Sequence, residues 1–164
     1  MNIVSATDRT EGTSEIDPVM EFKKGVELLK NEYPQKALVR LQRAFESDKH
    51  NPYYISFLGL SIARAQRKWD KACELCEIAV QLKPKEMQFH LNLGEVYASA
   101  GLREKALDKL DKALELFGED TRLKRARGMV AKRRKPLLPF MGREHFLNRE
   151  LGKLRHRALK RLTK

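Results

Sequence analysis

The sequence lacks the features that mark membrane-spanning and secreted proteins. No apolar run approaches the roughly 18 residues that a helix needs to cross a bilayer. The first 17 residues, MNIVSATDRTEGTSEID, have neither the basic stretch nor the apolar stretch of a secretion signal. We therefore expect a cytoplasmic protein. With only two cysteines in 164 residues, any cysteine chemistry has to come from this one pair.

The two cysteines, Cys73 and Cys76, form a C-x-x-C pattern, which in a reducing compartment raises the question of a redox motif or a metal site. A zinc site needs two further ligands, and none of the four histidines stands at ligand spacing from a cysteine. A thioredoxin-type motif follows a strand, and this chain shows no strand pattern. We therefore predict no metal and no cofactor, and a core-packing role for Cys76.

Signs of catalysis are also missing. The sequence has no glycine-rich phosphate loop, no Ser-His-Asp arrangement and no paired carboxylates on a loop. His90 stands where a repeat described below has a bulky apolar residue, so we predict a partly buried structural histidine. No catalytic residue is predicted, and we expect that the chain is not an enzyme.

Positive charge is concentrated at the C-terminal end of the chain. The net charge is +12, yet residues 1–120 carry 18 Lys and Arg against 20 acids, whereas residues 121–164 carry 16 against 2. Such a block indicates an acidic partner, such as nucleic acid, an anionic membrane or an acidic protein surface, or else a solvated tail that only aids solubility.

Three segments of the chain repeat one another without gaps: KALVRLQRAFESD, KACELCEIAVQLK and KALDKLDKALELF. Gly25, Gly59 and Gly94 recur in the same register, at spacings of 34 and 35 residues. Small residues on facing helices allow two antiparallel helices to approach closely. The period and the small residues therefore predict a stack of helix pairs.

The pattern resembles the tetratricopeptide repeat, above all in NLGEVYASAGLREKALDKLDKALEL, residues 92–116. The resemblance implies an all-α fold in which antiparallel helix pairs form a right-handed superhelix. We place three repeats at 18–51, 52–86 and 87–120 and a capping helix at 121–134, with residues 1–17 disordered. The buried side of the capping helix is predicted to hold Leu123, Ala126, Met129 and Val130. The first repeat departs most from the pattern, because Glu21 and Lys24 occupy positions where large apolar residues are usual, so it is predicted to fray or to be covered by other chain.

The resemblance also implies a binding module whose ligand lies along a concave face. The family's groove positions correspond to Phe22, Val26, Leu29, Tyr53, Ser56, Phe57, Leu60, Arg64, Gln88, Leu91, Asn92 and Glu95. Members that bind chaperone tails hold a terminal carboxylate at positions that are Phe22, Val26, Phe57, Gln88 and Asn92 in this chain, so that clamp is absent here. An apolar or amphipathic protein segment is the expected ligand. The alternative for Val26, Phe57 and Leu60 is packing between neighbouring helices.

The last 30 residues predict a separate docking element. A proline-containing linker at 135–143 leads to a basic amphipathic helix at 144–164. Apolar docking residues are Leu137, Leu138, Phe140, Leu147, Leu151, Leu154 and Leu162, and the basic face holds Arg149, Lys153, Arg157 and Lys160. Because aromatic residues for base stacking are few in this segment, we rank a protein surface first, an anionic membrane second and nucleic acid third. A protein surface includes the chain's own repeats or a second copy, which would give a homodimer.

The predicted function is a non-enzymatic scaffold or adaptor that binds a protein segment in its groove and uses the basic tail for docking or tethering, with peripheral membrane association as one form of tethering. Two alternatives stay open. The arrangement resembles a class of chaperones that guard type III secretion translocators, although that class usually has a longer N-terminal helix and no basic tail. An adaptor associated with membranes or nucleic acid is the other alternative.

Overall fold

The computed structural model describes residues 17–132, and within this range the chain forms seven α-helices and no strand. The helices are α1 (Pro18–Lys30), α2 (Pro34–Ser47), α3 (Pro52–Gln66), α4 (Trp69–Leu82), α5 (Met87–Ser99), α6 (Arg103–Phe117) and α7 (Thr121–Ala131). The predictions for the N-terminal segment, the linker and the basic tail helix lie outside the described residues. None of the helices in this range is long and apolar enough to span a bilayer.

The helices form the predicted antiparallel pairs. Turns of only two or three residues join α1 to α2, α3 to α4 and α5 to α6, and the two members of each pair are in contact. Successive pairs touch through α2 and α3 and through α4 and α5, while α3 also contacts α1 and α5. The all-α superhelical stack expected from the repeat is confirmed.

The repeated register of small residues sets the spacing within each pair. A glycine of the first helix faces a buried side chain of the second: Gly25 faces Leu41, Gly59 faces Cys76 and Gly94 faces Leu110. A Cβ atom added at these three glycines would lie 2.6, 2.7 and 2.9 Å from the nearest side-chain atom. Contacts this short do not occur between real side chains, so the helices approach closely only because the glycines carry none.

Sequence signals mark the starts of the first three helices. Proline occupies the first position of α1, α2 and α3, where its missing N–H costs no hydrogen bond. Asp17 and Asn51 cap α1 and α3 by accepting hydrogen bonds of 2.9 and 3.0 Å from backbone N–H groups. The turn inside each pair places one residue at positive φ, namely Glu32, Arg67 and Gly101. Only the third repeat has the glycine that this conformation favours.

The first repeat contains a buried carboxylate, paired with two arginines, in place of an apolar contact. Glu21 is 7% exposed and accepts a hydrogen bond of 2.7 Å from the Arg40 guanidinium, while Arg43 lies 3.6 Å from its other oxygen. A buried carboxylate is tolerated when a guanidinium neutralises it at this distance. The feature that made the first repeat look weak therefore contributes a specific link between α1 and α2.

The seventh helix differs from its prediction in one respect. Leu123 is fully buried, as expected, whereas Met129 is 67% exposed. At about 100° per residue, Met129 is turned roughly 120° around the helix axis from Leu123, so one face cannot bury both. The prediction that Met129 belongs to the buried side is wrong.

Candidate functional site

Five of the predicted groove residues line one mainly apolar cleft of about 410 Å³, which we call the α1–α3–α5 cleft. They are Phe22 and Val26 of α1, Tyr53 and Phe57 of α3, and Gln88 of α5. The cleft also includes Lys23, Glu27 and Lys30, which the sequence analysis did not select. Helical spacing from Phe22 and Val26 is the signal that could have found them, since 22, 23, 26, 27 and 30 fall along one side of α1.

Aromatic contacts hold the walls of this cleft in place. The rings of Phe22 and Phe57 meet edge to face with centroids 5.3 Å apart, and Phe22 also contacts Tyr54 at 5.2 Å. Tyr53 packs edge-on against the buried Phe89 at 5.0 Å. Such pairs are favourable beyond the area that they bury, so the cleft keeps its shape without a ligand.

The hydroxyl of Tyr53 is fixed at the edge of the cleft. It donates a hydrogen bond of 2.6 Å to Glu86 and accepts one of 3.0 Å from the Lys83 ammonium. The hydrogen bond from Lys83 to the Tyr53 hydroxyl raises the pKa of this lysine. The polar end of Tyr53 is therefore already satisfied, and the Lys83 ammonium also lies over its ring, 4.8 Å from the ring centroid.

Four other predicted groove residues lie beneath the surface. Leu29, Ser56, Leu60 and Asn92 are each less than 6% exposed. The Asn92 amide donates to the Ser56 hydroxyl at 3.0 Å and accepts from the Gln88 amide at 2.9 Å. The hydrogen bond between Asn92 and Ser56 joins α5 to α3. The burial of Leu60 matches the alternative given for it above, which is packing between neighbouring helices.

The charged pair at the far end of the predicted groove is internally neutralised. Arg64 lies 2.6 Å from a carboxylate oxygen of Glu95 and also donates to the Leu29 carbonyl at 3.0 Å. Leu91 is partly exposed in the same region of α5 but does not line the α1–α3–α5 cleft. A ligand's carboxylate would have to compete with Glu95 for Arg64, so this end offers no ready anion site.

The two cysteines have the environment of core residues. Cys76 is fully buried against Gly59, and burial raises the pKa of its thiol well above the ordinary range. Burial, followed by the nearby carboxylates of Glu77 and Asp70, also raises the pKa of the half-buried Cys73. Because the thiolate is the nucleophile and the metal ligand, both groups are held in the unreactive form at neutral pH. Residues 17–132 contain no cluster of three His, Cys, Asp or Glu side chains that could hold a metal ion.

His90 has the structural role that its repeat position predicts. The ring is 6% exposed and packs edge-on against Phe117 with centroids 5.4 Å apart. Its Nε2 lies 2.8 Å from the Pro84 carbonyl oxygen, which can only accept, so Nε2 carries the proton. This hydrogen bond ties the α4–α5 turn to the third repeat.

Alkaline pH is expected to destabilise the protein partly through Cys76. Because the folded-state pKa of this thiol is raised above its ordinary value of 9.0, the unfolded chain releases the proton at lower pH. The stabilisation is fully present below pH 9 and is lost as the pH rises toward the folded-state pKa. Between pH 8 and pH 10 we expect a loss of about 1.4 kcal/mol that Cys76→Ala abolishes. Urea unfolding of both proteins at the two pH values measures it; an identical pH dependence in the variant would contradict this assignment.

The described structure matches solved tetratricopeptide-repeat domains. The second such domain of human RPAP3, solved with the HSP70 peptide SGPTIEEVD, matches with a TM-score of 0.57 and 17% identity over 71% of this chain and 100% of that chain. YrrB, described as a tetratricopeptide-repeat protein with an unusual peptide-binding site, matches with a TM-score of 0.59 and 28% identity over 68% of this chain and 57% of that chain.

An O-GlcNAc transferase from Thermobaculum terrenum also matches, with a TM-score of 0.61 and 23% identity over 69% of this chain. The match covers 22% of the transferase chain, so this chain spans only a small part of that enzyme. No protein-family model matches the sequence, and the search of curated proteins found no match.

The repeat register, the three helix pairs and these matches together define a tetratricopeptide-repeat structure. The resemblance recognised in the sequence is confirmed at the level of the fold.

Proposed function

We propose that this chain is a non-enzymatic adaptor that binds an apolar or amphipathic protein segment in the α1–α3–α5 cleft. The observation that carries the proposal is the convergence of Phe22, Val26, Tyr53 and Phe57 on one open, mainly apolar cleft. Two of the matching structures are described in terms of peptide binding, which supports a protein ligand for a related groove. Large apolar side chains of a bound segment would fill the cleft, as in other grooves that accept peptides or helices.

The ligand differs in chemistry from the acidic chaperone tail seen with RPAP3. That peptide, SGPTIEEVD, has three acidic residues among its last four and ends in a terminal carboxylate. In this chain the groove arginine, Arg64, is already paired with Glu95, and Asn92 is buried in a hydrogen bond with Ser56. Arg64 and Asn92 are therefore already engaged within the protein.

The basic tail supplies a second, separate contact in this proposal. Residues 121–164 contain 16 Lys and Arg, and several leucines lie among the last 20 residues. This composition supports docking on a surface that is both acidic and apolar. As the docking partner of the tail we rank a protein surface first, an anionic membrane second and nucleic acid third. A cytoplasmic location is part of this proposal.

A charged residue placed in the cleft tests the proposal directly. Peptides selected from a random library on the full chain serve as ligands, and Val26→Glu is expected to weaken their binding by about tenfold or more, because a carboxylate loses hydration when an apolar side chain covers it. Fluorescence anisotropy with labelled peptides measures the dissociation constants.

Val39→Glu is the matched control. Val39 is 52% exposed on α2 of the same repeat and lies outside the cleft, so this variant should bind within about twofold of the wild type. Equal weakening by the two variants, or unchanged binding by Val26→Glu, would show that the cleft is not the peptide site.

A further inference from the structure

A second groove lies between helices of the first two repeats and shares no residue with the α1–α3–α5 cleft. This α2–α4 groove has a volume of about 490 Å³. Its lining comprises Leu38, Gln42, Phe45, Glu46, Lys49, Leu58, Ile62, Gln66, Lys68, Lys71 and Leu75. The residues belong to α2, α3, α4 and the adjoining turns.

The floor of the α2–α4 groove is apolar. Leu38, Leu58 and Ile62 are each less than 8% exposed and form its base, while Phe45 and Leu75 are partly exposed on its two sides. An apolar side chain placed between Phe45 and Leu75 would lose water contact on both sides. The hydrophobic effect therefore favours an occupant with bulky apolar side chains.

The rim of the α2–α4 groove is basic. Lys49, Lys68 and Lys71 are exposed, and no salt bridge within residues 17–132 involves any of them. The single acid of the lining, Glu46, accepts a hydrogen bond of 3.0 Å from the Gln42 amide. The rim thus has three lysine charges against one carboxylate, which attracts a negatively charged occupant.

The next repeat junction has a groove of similar size, about 450 Å³, with a different lining. The equivalent α4–α6 groove contains Tyr97 where the first has Ile62, Glu77 where it has Gln42, and Lys109 where it has Leu75. The Tyr97 hydroxyl donates a hydrogen bond of 2.5 Å to Glu77 across this groove.

Charge is also balanced at that second junction, because Lys105 and Lys109 are matched by Glu77 and Asp108. The repeat register therefore provides one groove with a tyrosine–glutamate bridge and neutral charge, and another that is unbridged, apolar and basic. Packing of the repeats does not require the apolar, basic lining, since the α4–α6 junction packs without it.

We propose that the α2–α4 groove is a second binding surface, which takes an acidic amphipathic segment of a partner protein. Apolar side chains of that segment contact Phe45, Leu75 and the apolar floor of the groove. Its Asp and Glu side chains face Lys49, Lys68 and Lys71. Because the two sites share no lining residue, a partner can occupy the α2–α4 groove while another segment occupies the α1–α3–α5 cleft.

A matched pair of double variants of the full chain tests this proposal. The probe is a labelled helical peptide of about 16 residues, with leucines at i, i+3 and i+7 and glutamates on the flanks. Lys68→Gln with Lys71→Gln is expected to weaken its binding about fivefold or more. Lys105→Gln with Lys109→Gln removes the same charge at the α4–α6 groove and should stay within about twofold of the wild type.

A second variant gives the groove the bridged lining of the α4–α6 groove without changing its lysines. Ile62→Tyr with Gln42→Glu copies the bridge between Tyr97 and Glu77, and we expect about tenfold weaker binding because a phenol hydroxyl and a second carboxylate then stand in the lining. Circular dichroism confirms that the variant is folded, and the lysine variants test the proposal independently of it.

Three outcomes would overturn the proposal. Equal weakening by the two lysine pairs would mean that the peptide senses only the net charge of the protein. Equally tight binding of a peptide with glutamine in place of glutamate would remove the acidic requirement. Nuclear magnetic resonance shifts confined to residues 133–164, with none at Phe45, Lys71 or Leu75, would place the peptide on the basic tail.

Discussion

Replacing Gly59 with alanine is expected to lower the free energy of unfolding by about 2 to 3 kcal/mol, within the range found for overpacked cores. The added Cβ would lie 2.7 Å from the Cys76 Sγ and 3.0 Å from the Ala72 carbonyl oxygen. A side chain can rotate away, but a backbone oxygen moves only if α3 and α4 separate. The separation weakens every contact between these two helices, which outweighs the gain of about 1 kcal/mol in helix propensity.

Gly128→Ala is the control for this substitution. Gly128 is also helical, and a Cβ there meets no atom within 4 Å. We expect a small stabilisation, up to about 1 kcal/mol, from helix propensity alone. Urea unfolding followed by circular dichroism measures both variants. A Gly59→Ala protein as stable as the wild type would contradict the close-packing account of the repeat glycines.

Phe89→Ala is expected to cost about 4 kcal/mol, a large part of the stability of a domain of this size. Phe89 is the largest side chain that is fully buried in the described range, and its ring supports Tyr53 across a distance of 5.0 Å. Truncation leaves a cavity between α3 and α5 and removes the ring that holds one wall of the α1–α3–α5 cleft. Loss of stability and loss of peptide affinity should therefore occur together.

Leu116→Ala provides the comparison, because Leu116 is 52% exposed on α6. Its replacement should change the free energy of unfolding by less than about 0.5 kcal/mol, as is usual for surface positions. Thermal and urea unfolding of the two variants measure the difference. A Phe89→Ala variant that unfolds at the same urea concentration as Leu116→Ala would show that Phe89 is not the core residue described above.

The fold follows from the sequence because its determinants are local and repeated. The register predicted a close approach of two helices at Gly59, although not which side chain faces it, and Pro52 and Gly118 mark a helix start and a helix end. The third aligned segment, KALDKLDKALELF, predicts the third helix pair in the same way. Local signals of this kind need no knowledge of distant contacts, which is why the helix pairs were predictable.

The candidate site was less predictable because it depends on contacts between helices. Sequence position could not show that Ser56 and Asn92 hydrogen-bond to each other at 3.0 Å and are buried by it. Nor could it show that Glu21 accepts a hydrogen bond from Arg40, 19 residues away. Burial and pairing of polar groups depend on the angle between neighbouring helices, which the repeat pattern leaves undetermined.

The difference between the α2–α4 and α4–α6 grooves could have been predicted from the sequence, but the sequence analysis did not identify it. Aligning Ile62 with Tyr97 and Gln42 with Glu77 shows that one junction has a tyrosine–glutamate pair and the other does not. The alignment does not show that the Tyr97 hydroxyl and Glu77 lie 2.5 Å apart and form a hydrogen bond. Only that contact shows that the difference between the two junctions bridges one groove and leaves the other unbridged.

The most direct measurement of the central claim is chemical-shift mapping of the full chain with a library-selected peptide, because it reports where the ligand lies without relying on a variant. The adaptor account predicts the largest changes at Phe22, Val26, Tyr53 and Phe57, with Arg64 and Glu95 little affected. Changes concentrated at Arg64, or confined to residues outside the three helix pairs, would contradict the claim that the α1–α3–α5 cleft is the peptide-binding site.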